Sequence, residues 1–97
     1  MKMLVKAKVT AIENERDVKV VGKDQYLACA NAILDCGSGD DYICAKVYGK
    51  DKITVCKQKM LAEIPVDMVL SIIGRVRSNK DGSTFYDNAV SVKWILS

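Results

Sequence analysis

From Met3 to Ile12, apolar and polar residues largely alternate: Val5, Ala7, Val9 and Ala11 fall on one side of an extended chain, and Lys6, Lys8 and Thr10 on the other. A period of two is that of a half-buried strand. The charged stretch Glu13–Asp17 contains the turn-prone Asn14, and Gly22-Lys23-Asp24 is a second turn signal. Residues 13–24 therefore read as a long first loop with room for a short hairpin. Gln25 to Leu34 is a second strand of small and apolar residues. It is followed by the glycine- and acid-rich loop Asp35–Asp41 and a third strand, Tyr42 to Tyr48, stopped by Gly49. Two such strands around one glycine-rich loop predict an antiparallel hairpin.

The period then changes. Ile53, Cys56, Lys57, Met60 and Leu61 sit at helical spacing with lysines between them, a short helix or a loose covering segment ending before Pro65. Alternation returns in a fourth strand, Met68 to Ser78. Asn79-Lys80-Asp81-Gly82-Ser83 is a hairpin turn, because Asp-Gly accepts positive backbone angles, and Thr84 to Leu96 is the fifth strand. Five strands with one helical or irregular insert between the third and fourth are the order of an OB-fold. The expectation is an all-β, five-stranded Greek-key barrel forming one domain over residues 1–97. Closure would also remove the exposed edges of five β-rich strands. Another small barrel, SH3-like, is the competing architecture, and the insert after strand three favours the first.

Composition narrows the class. The chain has 97 residues, of which 49% are hydrophobic, a size and balance that suit one compact core. No apolar run is long enough to span a bilayer, and the charged N-terminal segment lacks the form of a signal peptide. A cytoplasmic, non-membrane protein is expected. The net charge of +3 is modest, so what matters is whether the basic residues share a face. The chain has four cysteines and no histidine. Cys29, Cys36, Cys44 and Cys56 include no C-x-x-C pair. Zinc would need all of them to converge, and disulfides would need an oxidising compartment. Reduced, mostly buried thiols, no metal and no cofactor are expected. Without histidine, a phosphate-binding Gly-Lys-Ser/Thr motif or a visible nucleophile–base pair, the chain reads as a non-enzyme.

The outward faces carry the candidate chemistry. In strand three, Ile43, Ala45 and Val47 point inward, leaving Tyr42, Cys44, Lys46 and Tyr48 outside. Two rings with a lysine between them suit single-stranded nucleic acid: any base stacks on a ring, for roughly 1–3 kcal/mol each, and the lysine meets a phosphate. The competing reading packs these tyrosines under long loops or at a protein interface. In strand four Met68, Leu70, Ile72 and Val76 read as core. Arg75 and Arg77 leave the barrel together and, with Lys80, could follow a phosphate backbone or simply solvate an edge. Lys6 and Lys8 on strand one have the same two readings. Phe85 and Tyr86 put one ring on each face of strand five, one of them a further platform, while Val90, Val92 and Trp94 read as core. Lys50, Lys52, Lys57 and Lys59 form either a contact surface or the solvated face of the insert.

Asp41-Tyr42-Ile43-Cys44-Ala45-Lys46-Val47-Tyr48-Gly49-Lys50 resembles the bacterial single-stranded DNA-binding protein family, with its acidic residue, aromatic, five residues, then aromatic-Gly-Lys. Ile72-Ile73-Gly74-Arg75-Val76, then Asp81-Gly82, Tyr86 and the alternation Ala89 to Ile95, continue the likeness. Together the blocks cover roughly residues 40–50 and 68–96. The resemblance implies an OB-fold that binds single-stranded DNA in replication, restart or recombination. It implies that Tyr42 and Tyr48 stack on bases, and that the chain is a homo-oligomer, a dimer or else a tetramer. Asp51-Lys52 and Val66-Asp67 depart from the family pattern, and no flexible acidic tail is expected after Ser97. In that respect the chain is similar to the primosomal replication protein B type or to a minimal phage or mobile-element version. Helicase or primase proteins are then possible partners. Two other functions fit the same residues: an OB module that binds a replication protein, and single-stranded RNA binding.

Overall fold

The structure, a computed structural model, describes residues 1–37 and 41–96. It consists of β1 (Lys2–Lys19), β2 (Tyr26–Asp35), β3 (Tyr42–Tyr48), α1 (Lys50–Ala62), β4 (Val66–Ser78) and β5 (Thr84–Ile95). The five strands and the helix between β3 and β4 have the topology of an OB-fold. Ser38, Gly39 and Asp40, part of the expected β2–β3 loop, lie outside the described residues.

The first expected loop is strand instead. β1 runs through residues 13–19 and pairs with β2 as far as Lys19↔Tyr26. Asn14 supplies the turn-like residue that suggested a loop, but it takes φ 55 at a register shift between Glu13 and Arg16, and the ladder resumes beyond it. A bulge of this kind bends a strand without ending it. The Arg16 guanidinium donates to the Asn14 carbonyl at 2.7 Å and braces the bend. The real turn lies at residues 20–25, where Gly22 adopts φ 78.

The strands neighbour one another in the ring β1-β2-β3-β5-β4, with β4 returning to β1. Four of the five seams are antiparallel ladders; between β3 and β5 the register contains a single parallel pair, Lys46↔Ser91. The expectation of a closed barrel is corrected accordingly. The wall is a strongly curved five-stranded sheet whose ring is joined along the β3–β5 seam by that one ladder pair, without the continuous ladder of the other four seams. Where a ladder is missing, backbone groups need other partners. The Lys52 ammonium donates to the Val92 carbonyl of β5 at 3.3 Å, so a helix side chain serves one of them.

The inward positions are largely those that alternation selects; the exception on β1 is Ala11, because a register shift after Val9 pairs Ile12 with the buried Ala32 and packs Ile12, not Ala11, against the core. Val9, Leu34, Val47, Val66, Met68 and Leu70 are fully buried, together with Ala30, Ala32 and Ala45 on the β2–β3 wall. The segment after β3 is a helix. Gly49 enters it at φ 96, and Glu63 ends it in the left-handed region, donating its N–H to the carbonyls of Lys59 and Met60. Ile53 and Cys56 are its buried residues, and Met60 packs against the same core.

Two other core expectations fail. Val76 is 67% exposed, because β4 and β5 run beyond the core as a two-stranded ribbon. Trp94 is 48% exposed, because a register shift between Val69 and Leu70 leaves Lys93 as an extra residue and turns the indole outward. The ribbons explain the elongated outline. The radius of gyration is 14.8 Å, against about 12.5 Å for a compact chain of this length.

Candidate nucleic-acid interface

β3 presents the residues that alternation predicts. Tyr42, Cys44, Lys46 and Tyr48 are exposed, whereas Ala45 and Val47 are buried beneath them. Tyr42 is 53% and Tyr48 37% exposed, so each ring offers a face while its base stays attached to a packed strand. Six residue steps separate them, about 20 Å along an extended strand, with Lys46 between. The rings therefore suit non-adjacent bases of one strand rather than a single clamped base.

The register extends this row sideways. Tyr42 is opposite Asp35, and Asp35 opposite Lys8, so Lys8 stands on the same face two strands away, behind an acid. Lys46 is flanked by Asn31 on β2 and Ser91 on β5. Asn31 is a residue the sequence reading missed. Its Oδ1 is buried, and among the described residues nothing donates to it, so an unpartnered polar acceptor lies beneath the middle of the face. A central strand position among small residues gives no sign of such a role. Lys50 opens α1 immediately after Tyr48 and Gly49 and is exposed. Lys6 belongs elsewhere, on the part of β1 that pairs with β4, opposite Asp67.

The β4–β5 ribbon carries the remaining candidates. Its turn is built as the sequence predicts: Gly82 takes φ 86, and Ser83 donates both its N–H and its hydroxyl to Asp81 Oδ1, at 2.9 and 2.6 Å. These bonds hold the Asp81 carboxyl below its ordinary pKa. Arg77, Lys80, Phe85 and Tyr86 are all exposed; the rings of Phe85 and Tyr86 leave opposite faces of the ribbon. Arg75 is engaged differently. Its guanidinium makes a bidentate pair with Asp87 across the ribbon, at 3.0 and 2.9 Å, so its charge is matched within the protein. The helix lysines are partly engaged too: Lys57 pairs with Glu15, and Lys52 with the Val92 carbonyl.

The thiols do not form a site. All four cysteines are unpaired; Cys29 and Cys56 are buried, Cys36 is half-buried, and Cys44 is exposed beside Lys46, on the outer side of β3 where alternation puts it. Burial raises the Cys56 thiol above its ordinary pKa; burial and then Asp41 and Asp35 raise Cys36. Among the described residues no group of histidine, cysteine and acidic side chains is arranged to hold a metal, and no helix is long and apolar enough to cross a membrane.

Neither a protein-family model nor a curated protein matches the chain. The likeness to the single-stranded DNA-binding family thus rests on its short sequence blocks, and the structure extends it as far as the OB-fold topology.

Proposed function

We propose that this chain binds single-stranded DNA in a sequence-tolerant way and performs no chemistry on it. The observation that carries the reading is the exposed row Tyr42–Lys46–Tyr48 on a buried-backed strand of an OB-type sheet. The β2–β3 face and the loops joining β1 to β2 and β4 to β5 are where OB folds take oligonucleotides. Stacking on tyrosine supplies energy without reading sequence, and Lys46, Lys50, Arg77 and Lys80 supply positive charge for phosphates. The protein acts as a homodimer in this reading, which light scattering checks: a mass of 10.7 kDa at every concentration would remove the dimer but not the binding.

The test is fluorescence anisotropy of labelled oligo-dT against a duplex and an RNA strand of equal length. Preference for the DNA single strand, falling with salt, is the expected result. Flat titrations with all three nucleic acids would leave the protein-binding barrel as the better reading. Equal affinity for the RNA strand would make the substrate single-stranded nucleic acid in general.

A prediction follows from the paired arginine. Asp87→Asn removes the carboxylate that matches Arg75 while leaving the ribbon hydrogen bonds of its backbone in place. Oligo-dT affinity is expected to rise at low salt. The slope of log affinity against log salt should steepen by about 0.7, the value of one further single-strand phosphate contact. An unchanged slope would mean that DNA does not approach Arg75.

A further inference from the structure

The outer face of β1, β4 and β5 holds a second aromatic–basic group that the bulge at Lys93 creates. Trp94 stands out from β5 half exposed, with the Lys2 ammonium 4.9 Å and the Lys93 ammonium 5.7 Å from its ring centroid. Val69 lies opposite Trp94, and Leu4, 66% exposed, opposite Val69. Had β5 continued without the bulge, this indole would have pointed into the core.

The register joins this group to the tyrosine row. Lys46 pairs with Ser91, Ser91 with Ser71, and Ser71 with Lys2, four outward positions on adjacent strands. At the usual strand spacing the three steps span about 14 Å. Lysines stand at both ends, and the two residues between them are serines, whose short side chains leave a shallow path across the β3–β5 bridge. The path is hydroxyl-lined and basic at its ends, chemistry that complements a phosphodiester backbone. Asp67, opposite Lys6, lies beyond Leu4, away from the serines, and Asp87, the acid four residues from Ser91 on the same face of β5, is matched by Arg75.

We infer that a bound single strand of nucleic acid continues from the tyrosine row over Ser91 and Ser71 to Trp94, where a base stacks on the indole and Lys2 and Lys93 meet the flanking phosphates. The inference rests on the proposed binding at Tyr42 and Tyr48 and adds a further station to it. In the free protein the lysines lie near the ring; on binding they shift to phosphate oxygens and yield a ring face to the base.

Trp94 is the chain's single tryptophan, so its emission reports this station alone. Oligo-dT of about 4 and about 16 nucleotides, the two ends of the usual OB site-size range, would be titrated while anisotropy and tryptophan emission are both recorded. The expected result is quenching by the longer strand and none by the shorter. Trp94→Ala should weaken the longer strand about 5- to 150-fold, as expected for loss of one stacked base, and leave the shorter unaffected. Trp94→Phe should retain most of the affinity, and circular dichroism melting would verify that both variants fold. Lys2→Ser with Lys93→Ser should flatten the salt slope for the longer strand only. Anisotropy binding of both strands with unaltered tryptophan emission would overturn the inference and leave the tyrosine site standing. Absence of binding by either strand would remove both. Emission that varies with protein concentration and not with DNA would assign this face to contact between copies of the chain and overturn the inference as well.

Discussion

Replacing Tyr42 and Tyr48 together by alanine is expected to weaken oligo-dT binding by at least about thirtyfold, the loss of two stacked bases at the low end of roughly 1–3 kcal/mol each. The rings are half exposed or nearly so, and the residues buried between them, Ala45 and Val47, are untouched by the substitutions. The fold should therefore persist, and the loss should belong to binding. At about 20 Å apart along β3 the rings touch neither each other nor the same base, so the two single substitutions should add. Tyr42→Phe and Tyr48→Phe keep the π-faces and should bind nearly as the parent does. The salt slope should be unchanged by either pair, because no cation has been removed. Anisotropy titrations of parent, single and double variants read all of this. A double variant that binds like the parent would show that stacking on β3 is not the source of affinity. A steep loss with the phenylalanines as well would point to the hydroxyls, and so to hydrogen bonding rather than stacking.

How far this site could be read from sequence depends on the strand. β3 was legible because its alternation is unbroken: every second residue from Ile43 to Val47 is small or apolar, and the inner and outer sets separate cleanly. The helix was legible as a change of period and the β4–β5 turn as Asp81-Gly82. Three features were hidden for physical reasons. Asn14 looks like a turn residue, and its left-handed angle is real, but the ladder on either side absorbs it as a bulge. The bulge at Lys93 reverses the phase of alternation for Trp94, and a one-residue slip moves a side chain to the opposite face. Val76 obeys the alternation yet is exposed, because the ribbon outruns the core that its inner face would meet. The pairing of Arg75 with Asp87 is a fact of register, and sequence spacing does not fix register. The single bridge at Lys46–Ser91 belongs to the same class: five strands in the right order do not specify how fully the last seam zips.

Leu34→Ala is expected to carry the largest stability loss, and the consequence for binding follows from where that leucine sits. It is fully buried on β2, between Val9 of β1 and Ile43 of β3, directly behind the tyrosine row. Truncating a buried leucine costs about 2–5 kcal/mol, more where neighbours cannot close the hole. The surrounding cluster includes Ala7, Ala30, Ala32 and Ala45, whose methyl groups have no length to reach into it, so the upper half of that range is expected. Against a total stability of about 5–15 kcal/mol the variant should fold but melt well below the parent, by at least about 14 °C. A ligand bound only by the folded state restores stability, about 2.7 kcal/mol at a hundred times its Kd. Saturating oligo-dT should therefore raise the melting temperature of Leu34→Ala substantially. The same oligonucleotide should do far less for Leu34→Ala combined with Tyr42→Ala and Tyr48→Ala, although the core is identically damaged in the two. Equal rescue of both would mean that the strand is held elsewhere on the sheet. Absence of rescue in Leu34→Ala alone, with binding intact in the parent, would mean that the vacated core distorts β2 and β3 enough to misplace the tyrosines, since the rings depend on the strand pair behind them for their positions.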